Sequence, residues 1–289
     1  MKKNHIFRAA SIPRRLRGNA LARAAPWLTW SEAFHDFVAQ LHRAGVLKRR
    51  VFVTEVRGCE PYAASYSSSI EAVPNDLRAK LLAFAARLPG RSDPSNLCFF
   101  RGMLSLPCDD RQMRAVFGLL REAVITLAGD ERAALYSPVA ARRKDSGFKL
   151  HADLFITTRI WLIFDDVPDD GTGASLFLSR RDLLQAIRSI DTIPNKVAGD
   201  VTALMTAPVA RDSFEKLYWL LHSEQRRWHD DLNDALQERV KTIALHRGEG
   251  YLMDDRRWLH GRTPASGAVS ALRFHRLAFG LRGRPSVAK

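Results

Sequence analysis

Metal-binding side chains occur at two places that lie far apart in the sequence. His151 and Asp153 flank Ala152 in the run FKLHADLFI, whose composition predicts a strand over residues 148–156. Because side chains i and i+2 of a strand point to the same face, the imidazole and the carboxylate are expected to bind one ion side by side. His260 follows much later in the chain. Two imidazoles and one carboxylate form the facial set that binds ferrous iron and leaves coordination positions open.

Strand-like runs surround these residues and predict a mainly β fold decorated by helices. Upstream, the sequence predicts a strand at residues 97–106 and a buried helix at residues 113–127. Downstream, strands are predicted at residues 159–165, 174–178, 242–246, 250–253 and 271–279. A helix-rich stretch at residues 181–240 separates them into two groups. Strands that are distant in sequence and flank a helical insertion favour an antiparallel barrel or jelly roll over a doubly wound sheet.

The segment around the second histidine, DDRRWLHGRTP, resembles a known motif. It is similar to the distal-histidine motif of the iron(II)- and 2-oxoglutarate-dependent dioxygenases, in particular the taurine dioxygenase, γ-butyrobetaine hydroxylase and clavaminate synthase branches. Asp255 stands where those proteins commonly have asparagine, and Gly261 is expected to begin a turn. The resemblance extends over about residues 147–280. It implies a double-stranded β-helix, a cupin-like jelly roll, with a helical insertion at about residues 181–240 lying over the site as a lid.

The resemblance assigns roles to the residues that match the motif. His151, Asp153 and His260 would bind Fe(II), and 2-oxoglutarate would chelate the metal and leave one position for O2. The distal carboxylate of 2-oxoglutarate needs a fixed cation, and a planar guanidinium suits it because it can bind with two hydrogen bonds. Members of the family carry this arginine on the strand that follows the distal histidine.

Two arginines fit that position, Arg273 and Arg276. They have opposite strand parity, so both cannot point inward from an undistorted strand. The surrounding sequence FHRLAF favours Arg276. A hydroxyl group from Thr172 or Ser175, in the run GTGASLFLS, is expected to help bind the same carboxylate. These four residues are the candidate co-substrate ligands.

The implied reaction is hydroxylation of an unactivated C–H bond, with conversion of 2-oxoglutarate to succinate and CO2. Asp153 argues against halogenation, because related halogenases replace this carboxylate with a small residue to admit chloride. The branch typically acts on free amino acids or small metabolite acids, so we expect a small, anionic or amino-acid-like substrate. Nothing in the sequence calls for an obligate protein partner.

The chain of 289 residues is strongly basic, with 45 Lys and Arg against 31 Asp and Glu and a formal net charge of +14. Residues 1–31 contain no acidic side chain, so residues 1–30 are expected to form a flexible basic leader, and residues 281–289 a basic tail. The leader is either a solvated segment or an arm that binds an anionic surface, such as a membrane or a nucleic acid. A mitochondrial-type presequence fits the same composition.

Composition excludes several other classes of protein. Three cysteines without a C-x-x-C spacing rule out a disulfide scaffold and a cysteine zinc ribbon. No apolar run is long enough for a transmembrane helix. We therefore expect a cytoplasmic protein, associated peripherally with a membrane if the leader binds one. Residues 31–280 are expected to form a single dioxygenase domain, with the jelly-roll core at about residues 97–280.

Three alternative functions remain open. The stretch HADLFIT is similar to bacterial hydroxylases of a lipopolysaccharide sugar, which suggests an anionic glycolipid substrate. Arg276 and Arg282 have the spacing of an arginine pair in AlkB-type nucleic-acid demethylases, although Ala278 replaces the polar residue expected between them. The third alternative is a jelly-roll protein that binds a ligand without catalysis.

Other patterns in the sequence have structural explanations. His222 and His229 share one face of a predicted helix, but no carboxylate accompanies them in a known metal pattern, so packing in the lid is expected. Trp219 and Trp228 are expected to pack in the core of the same insertion. The acidic side chains between residues 165 and 170 lack calcium-loop spacing and indicate a solvated strand end.

Overall fold

The structure is a computed structural model that describes most of the chain. The described residues are 27–30, 32–47, 51–53, 64–66, 70–90, 96–103, 110–140, 147–153, 158–168, 171–206, 212–265 and 273–281. The predicted leader up to residue 26 and the predicted tail from residue 282 lie outside the described residues.

Within these ranges the chain forms twelve β-strands and seven α-helices. The strands are β1 (Trp27–Thr29), β2 (Val51–Val53), β3 (Ala64–Tyr66), β4 (Leu97–Arg101), β5 (Glu131–Ala140), β6 (Phe148–His151), β7 (Arg159–Asp166), β8 (Ser175–Ser179), β9 (Lys241–Ile243), β10 (Gly250–Asp254), β11 (Trp258–Arg262) and β12 (Arg273–Leu281). The helices are α1 (Glu32–Arg43), α2 (Asn75–Ala85), α3 (Asp110–Ala128), α4 (Arg180–Arg188), α5 (Asn195–Thr206), α6 (Ser213–His222) and α7 (His229–Arg239).

Most of the strands belong to two larger sheets. The six-stranded sheet has the order β1-β4-β10-β7-β12-β5, and the four-stranded sheet has the order β6-β11-β8-β9. Their pairings are antiparallel except for that of β1 with β4. β2 and β3 pair separately. A β-rich core with attached helices, built from strands distant in sequence, confirms the coarse fold class predicted above.

The two larger sheets pack face to face around an aromatic core. Phe99 of β4 lies edge-on to Phe177 of β8, with ring centroids 5.4 Å apart. Phe177 in turn lies edge-on to Tyr251 of β10, at 4.8 Å. Ile160 of β7 and Ile243 of β9 belong to the same buried cluster. The apolar surface removed from water between the sheets stabilises this arrangement by about 25 cal/mol per Å2.

Helices cover the outer faces of both sheets. On the six-stranded sheet, Phe34 of α1 and Phe117 of α3 join Trp161 of β7 in one buried cluster. On the four-stranded sheet, α4–α7 pack around Leu178 of β8 and Leu259 of β11. β7 is thus buried on both faces, which explains its nearly continuous apolar sequence. No helix in the described ranges combines the length and the apolar composition needed to cross a membrane.

Several strands differ from the predictions, among them β1 and β5. β1 lies within the segment predicted as leader, and its pairing with β4 places Trp27 opposite Phe99. β5 has no counterpart among the predicted strands, yet it pairs along its length with β12. Pro138 interrupts the strand pattern of β5 in the sequence, and the structure accommodates it because β5 is an edge strand.

Gly261 lies within β11 and does not begin a turn, so that prediction is wrong. β11 pairs with β6 on one side and β8 on the other, and its register with β6 shifts between His260 and Arg262. The two backbones approach so closely here that a Cβ on Gly261 would stand 2.6 Å from the carbonyl oxygen of Phe148. Glycine is needed at this position because two strands approach each other, not because the chain reverses.

The variant Gly261→Ala tests this close approach. The added methyl group must push β6 away from β11, so we expect the free energy of unfolding to fall by about 1–3 kcal/mol. Gly199→Ala is the matched control, because Gly199 lies inside α5 and a Cβ there meets no atom within 4 Å. That variant should gain roughly 0.5–1 kcal/mol. Urea unfolding measures both, and equal effects of the two changes would contradict the explanation.

Candidate metal centre

The pairing of β6 with β11 brings the two predicted histidines together. His260 is the antiparallel partner of His151, and their ring centroids lie 4.3 Å apart. Asp153 follows just after the end of β6. One ligand atom from each of the three side chains lies within 4.8 Å of the others. Within the described ranges, this is the group of side chains that could hold a metal ion.

The hydrogen bond of His151 leaves one ring nitrogen available to a metal. Its Nδ1 lies 2.9 Å from the carbonyl oxygen of Lys149, which can only accept, so Nδ1 carries the proton and donates. In the neutral ring Nε2 then carries the lone pair, and it lies 3.5 Å from Oδ1 of Asp153. A metal-binding histidine usually donates its other N–H in this way, which fixes the orientation of its ring.

His260 also has one hydrogen-bonded ring nitrogen and one without a partner. Nδ1 lies 2.9 Å from the hydroxyl of Tyr251, while Nε2 is buried and has no hydrogen-bond partner. Burial, followed by the neighbouring His151, lowers the pKa of His260 to about 3. The ring is therefore neutral at physiological pH. A neutral imidazole with a buried, unpartnered nitrogen facing another imidazole and a carboxylate fits a bound metal ion.

Asp153 supplies the negative charge of the site. Burial by itself would raise the pKa of this carboxyl, but Arg276 and the two histidines hold it well below its ordinary value. One oxygen, Oδ1, faces His151, and the other, Oδ2, accepts a hydrogen bond of 2.9 Å from Arg276. The carboxylate is thus ionised, and one of its oxygens is directed towards the histidines.

Arg276 extends from β12 on the face opposite to Leu277 and Phe279, which pack against the outer helices. Arg276 therefore points inward, which agrees with the alternation of side chains along a strand. The register of β12 with β7 shifts between Arg273 and Phe274, so β12 is not the undistorted strand on which the parity argument for Arg273 depends. The structure describes the backbone of Arg273 but not its side chain.

The two candidate hydroxyl residues lie at the start of β8. Ser175 is buried and pairs with Arg262 of β11 and Ile243 of β9. Thr172 is partly exposed in the turn that precedes β8. Their role towards 2-oxoglutarate stays a prediction.

The similarity of this chain to known proteins is structural. No protein-family model matches it, and no curated protein matches it. A solved structure of asparagine oxygenase in complex with Fe(II), 2S,3S-3-hydroxyasparagine and succinate is similar, with 16% identity, a TM-score of 0.49, and coverage of 87% of this chain and 92% of that one.

The non-haem iron oxygenase OrfP is also similar in structure. Its complex with Fe and alpha-ketoglutaric acid has 12% identity and a TM-score of 0.46, over 88% of this chain and 93% of that one. Its complex with Fe, succinate and (3S)-hydroxy-L-Arg has 13% identity and a TM-score of 0.46, over 88% and 94%.

Tyr251 and Phe214 are residues of the site that sequence reasoning missed. Tyr251 lies on the inward face of β10, and its contact with His260 depends on how two sheets are placed, which no local pattern reveals. Phe214 of α6 lies edge-on to His151 at 5.9 Å and stacks on Tyr218. The helical spacing of these two aromatic residues was visible in the sequence, but not the strand against which they pack.

His222 and His229 form no second metal site in the described ranges. Nε2 of His222 donates to the carbonyl oxygen of Leu150, at 2.7 Å, and so attaches α6 to β6. His229 instead contacts Asp230 and Asn233 on its own helix.

Trp219 differs from its predicted position in the core of the helical segment. It is 52% exposed, because it lies on the solvent side of α6, and the guanidinium of Arg226 covers one face of its ring at 4.0 Å. Trp228 agrees better with the prediction, since it packs partly buried against the helical cluster.

In the predicted acidic strand end, Asp165 pairs with Arg247, while residues 169 and 170 lie outside the described residues.

The variant Tyr251→Phe tests whether the hydroxyl orients His260. If Nε2 binds the metal, Nδ1 must donate its proton to the Tyr251 oxygen, and loss of that acceptor should weaken metal affinity about 10–100-fold. Calorimetric titration with Co(II) measures the affinity. Tyr218→Phe removes a hydroxyl from α6 and should leave it unchanged. Wild-type affinity in Tyr251→Phe would contradict this role.

His222 should remain neutral well below the usual pH of histidine protonation. Burial lowers its pKa to about 4, against 6.5 for an exposed histidine. Between these values the unfolded chain binds more protons, so this residue contributes stability above pH 6.5 that is lost as the pH falls towards 4, by up to about 1.4 kcal/mol per pH unit. Histidine NMR titration, with His222→Gln to assign the signal, measures the pKa. A midpoint near 6.5 would contradict the prediction.

Proposed function

We propose that this protein is a non-haem Fe(II)- and 2-oxoglutarate-dependent oxygenase. It would hydroxylate an unactivated C–H bond of a small, anionic or amino-acid-like substrate and release succinate and CO2. The observation that carries the proposal is the buried, unpartnered Nε2 of His260 beside Nε2 of His151 and the ionised carboxylate of Asp153.

The three side chains would hold iron on one face of the metal. Two imidazoles and one carboxylate leave three positions of an octahedral site open, which is enough for a bidentate 2-oxo acid and O2. The chemistry that iron and 2-oxoglutarate supply when bound is activation of O2 for C–H hydroxylation. The protein contributes the hydrogen bond that orients the ring of His151 and a largely buried, partly aromatic environment.

Arg276 is the proposed partner of the distal carboxylate of 2-oxoglutarate. Its NH1 donates to Asp153, while its Nε is buried without a hydrogen-bond partner, so the guanidinium has donating capacity left for a second carboxylate. A planar guanidinium can serve both anions because its donors point in different directions. Arg273 remains the alternative, with Ser175 or Thr172 as the hydroxyl that assists.

The fold supports the finer architecture of the proposal. Two mainly antiparallel sheets facing each other, with ligands on adjacent strands of the smaller one, are compatible with a double-stranded β-helix. α4–α7 are proposed to act as the predicted lid, because α6 lies against β6 and places Phe214 next to His151.

The substrate class follows from the motif resemblance and from charge. A site between two packed sheets suits a small molecule, and the strongly basic chain favours an anionic one. The basic leader remains a proposed contact with an anionic surface. Besides the HADLFIT stretch, the glycolipid alternative depends on that leader, of which residues 1–26 lie outside the described residues. The nucleic-acid alternative depends on Arg282, which also lies outside them.

Anaerobic titration tests the proposal directly. Addition of 2-oxoglutarate to the protein with Fe(II) should produce a saturable visible charge-transfer band of the metal–2-oxo acid chelate. His151→Ala should abolish the band because it removes a metal ligand. Arg276→Met should keep the amplitude at saturation but weaken 2-oxoglutarate affinity about 10-fold or more, since it removes charge-assisted hydrogen bonds.

Arg239→Met is the matched control, because Arg239 is a partly buried arginine at the end of α7, where its guanidinium bonds to Ala235 of the same helix. It should titrate like the wild type. Absence of a band in the wild type, or a band that persists in His151→Ala, would contradict the proposed function.

A further inference from the structure

We infer that Asp255 is a positioning residue for the metal centre, which holds the backbone of Asp153 in place relative to His260. The inference rests on the proposed function only in requiring that Asp153 and His260 bind the same metal ion. It concerns a residue at which this chain departs from the motif it resembles.

The backbone of Asp153 needs support from outside its own strand. β6 ends at His151, so the N–H of Asp153 has no partner in the strand ladder. That N–H donates to Oδ1 of Asp255 at 2.9 Å. A buried backbone donor without an acceptor would be costly, and a misplaced Asp153 backbone would move its carboxylate with it.

Asp255 is itself held in place by the neighbouring sheet. The residue is fully buried, and its own N–H donates to the carbonyl oxygen of Thr158 at 3.0 Å. Thr158 immediately precedes β7, and its N–H donates in turn to Phe279 of β12. Through these hydrogen bonds, Asp255 links the backbone just after β6 to the backbone just before β7.

The same residue also lies in the turn that leads to His260. Asp255 stands between β10 and β11, and the turn is closed by hydrogen bonds from Arg257 to the Asp254 carbonyl and from Arg256 to the Asp254 side chain. β11 begins directly after this turn and carries His260. Asp255 thus stands in the turn that leads to one metal ligand and holds the backbone of another through its own side chain, whereas the Asp254 side chain bonds only within the turn.

This geometry also explains why either asparagine or aspartate can occupy this position of the motif. The side-chain oxygen of asparagine can accept the same hydrogen bond as Oδ1 of aspartate. The bond to Asp153 therefore requires a short side chain with an acceptor oxygen, and either residue supplies it. An apolar side chain would fill the space but leave the Asp153 N–H without its acceptor.

Co(II) titration distinguishes positioning from a general effect on folding. Asp255→Ala should weaken Co(II) affinity about 10-fold or more and alter the visible d–d spectrum, because the carboxylate of Asp153 is no longer held beside the histidines. Asp255→Asn should restore both the affinity and the spectrum to near wild-type values.

Asp254→Ala is the matched control. Asp254 lies in the same turn and caps the Arg256 N–H, but its side chain has no bond to Asp153 among the contacts of the described residues. This variant should lower the melting temperature without changing Co(II) affinity. Equal loss of affinity in Asp254→Ala and Asp255→Ala would overturn the inference, as would wild-type affinity and spectrum in Asp255→Ala.

A measurement on the wild type covers the case in which Asp255→Ala does not fold. Amide hydrogen exchange at Asp153 should be slow in the metal-free protein, because its N–H is hydrogen-bonded to a buried carboxylate. Fast exchange there would overturn the inference. Failure of the wild type to bind Co(II) at all would instead refute the proposed function, so the two failures are distinguishable.

Discussion

Backbone pairing between β6 and β11 places His260 opposite His151, and the other features of the site depend on this register. A slip by one residue would turn either imidazole to the helical side of the four-stranded sheet, since successive side chains alternate between faces. Gly261 permits the close approach of the two backbones next to His260. This strand pair is held in one register by the aromatic core between the sheets and by the helices outside them. The positions of the two histidines therefore depend on the packing of the whole fold.

The charges of the site are balanced around one buried carboxylate. Isolated burial of a carboxylate costs several kcal/mol, and the guanidinium of Arg276 offsets that cost while leaving Oδ1 directed at the histidines. In their neutral forms both imidazoles donate their Nδ1–H away from the centre if Tyr251 accepts from His260, and their Nε2 lone pairs then face inward. The site is therefore suited to a cation, because two imidazoles converge on one ionised carboxylate.

The grouping of His151, Asp153 and His260 was predictable because it depends on local rules. The i, i+2 spacing of His151 and Asp153 implies a shared face on a strand, and the motif around His260 added the third ligand. The roles of Tyr251 and Asp255 were not predictable, because they arise where β10 and its turn meet strands from other parts of the chain. β5 escaped prediction because Pro138 breaks the strand pattern, which only its edge position explains. Gly261 was mistaken for a turn residue because close approach and chain reversal both favour glycine.

X-ray absorption spectroscopy of the anaerobic Fe(II)-loaded protein tests the central claim most directly, because it reports the atoms bound to iron without requiring a substrate. The account predicts one iron per chain, with two histidine nitrogens and one carboxylate oxygen among its ligands, and loss of one nitrogen ligand in His260→Ala. Iron bound with fewer than two histidine ligands, or an unchanged spectrum in His260→Ala, would contradict it.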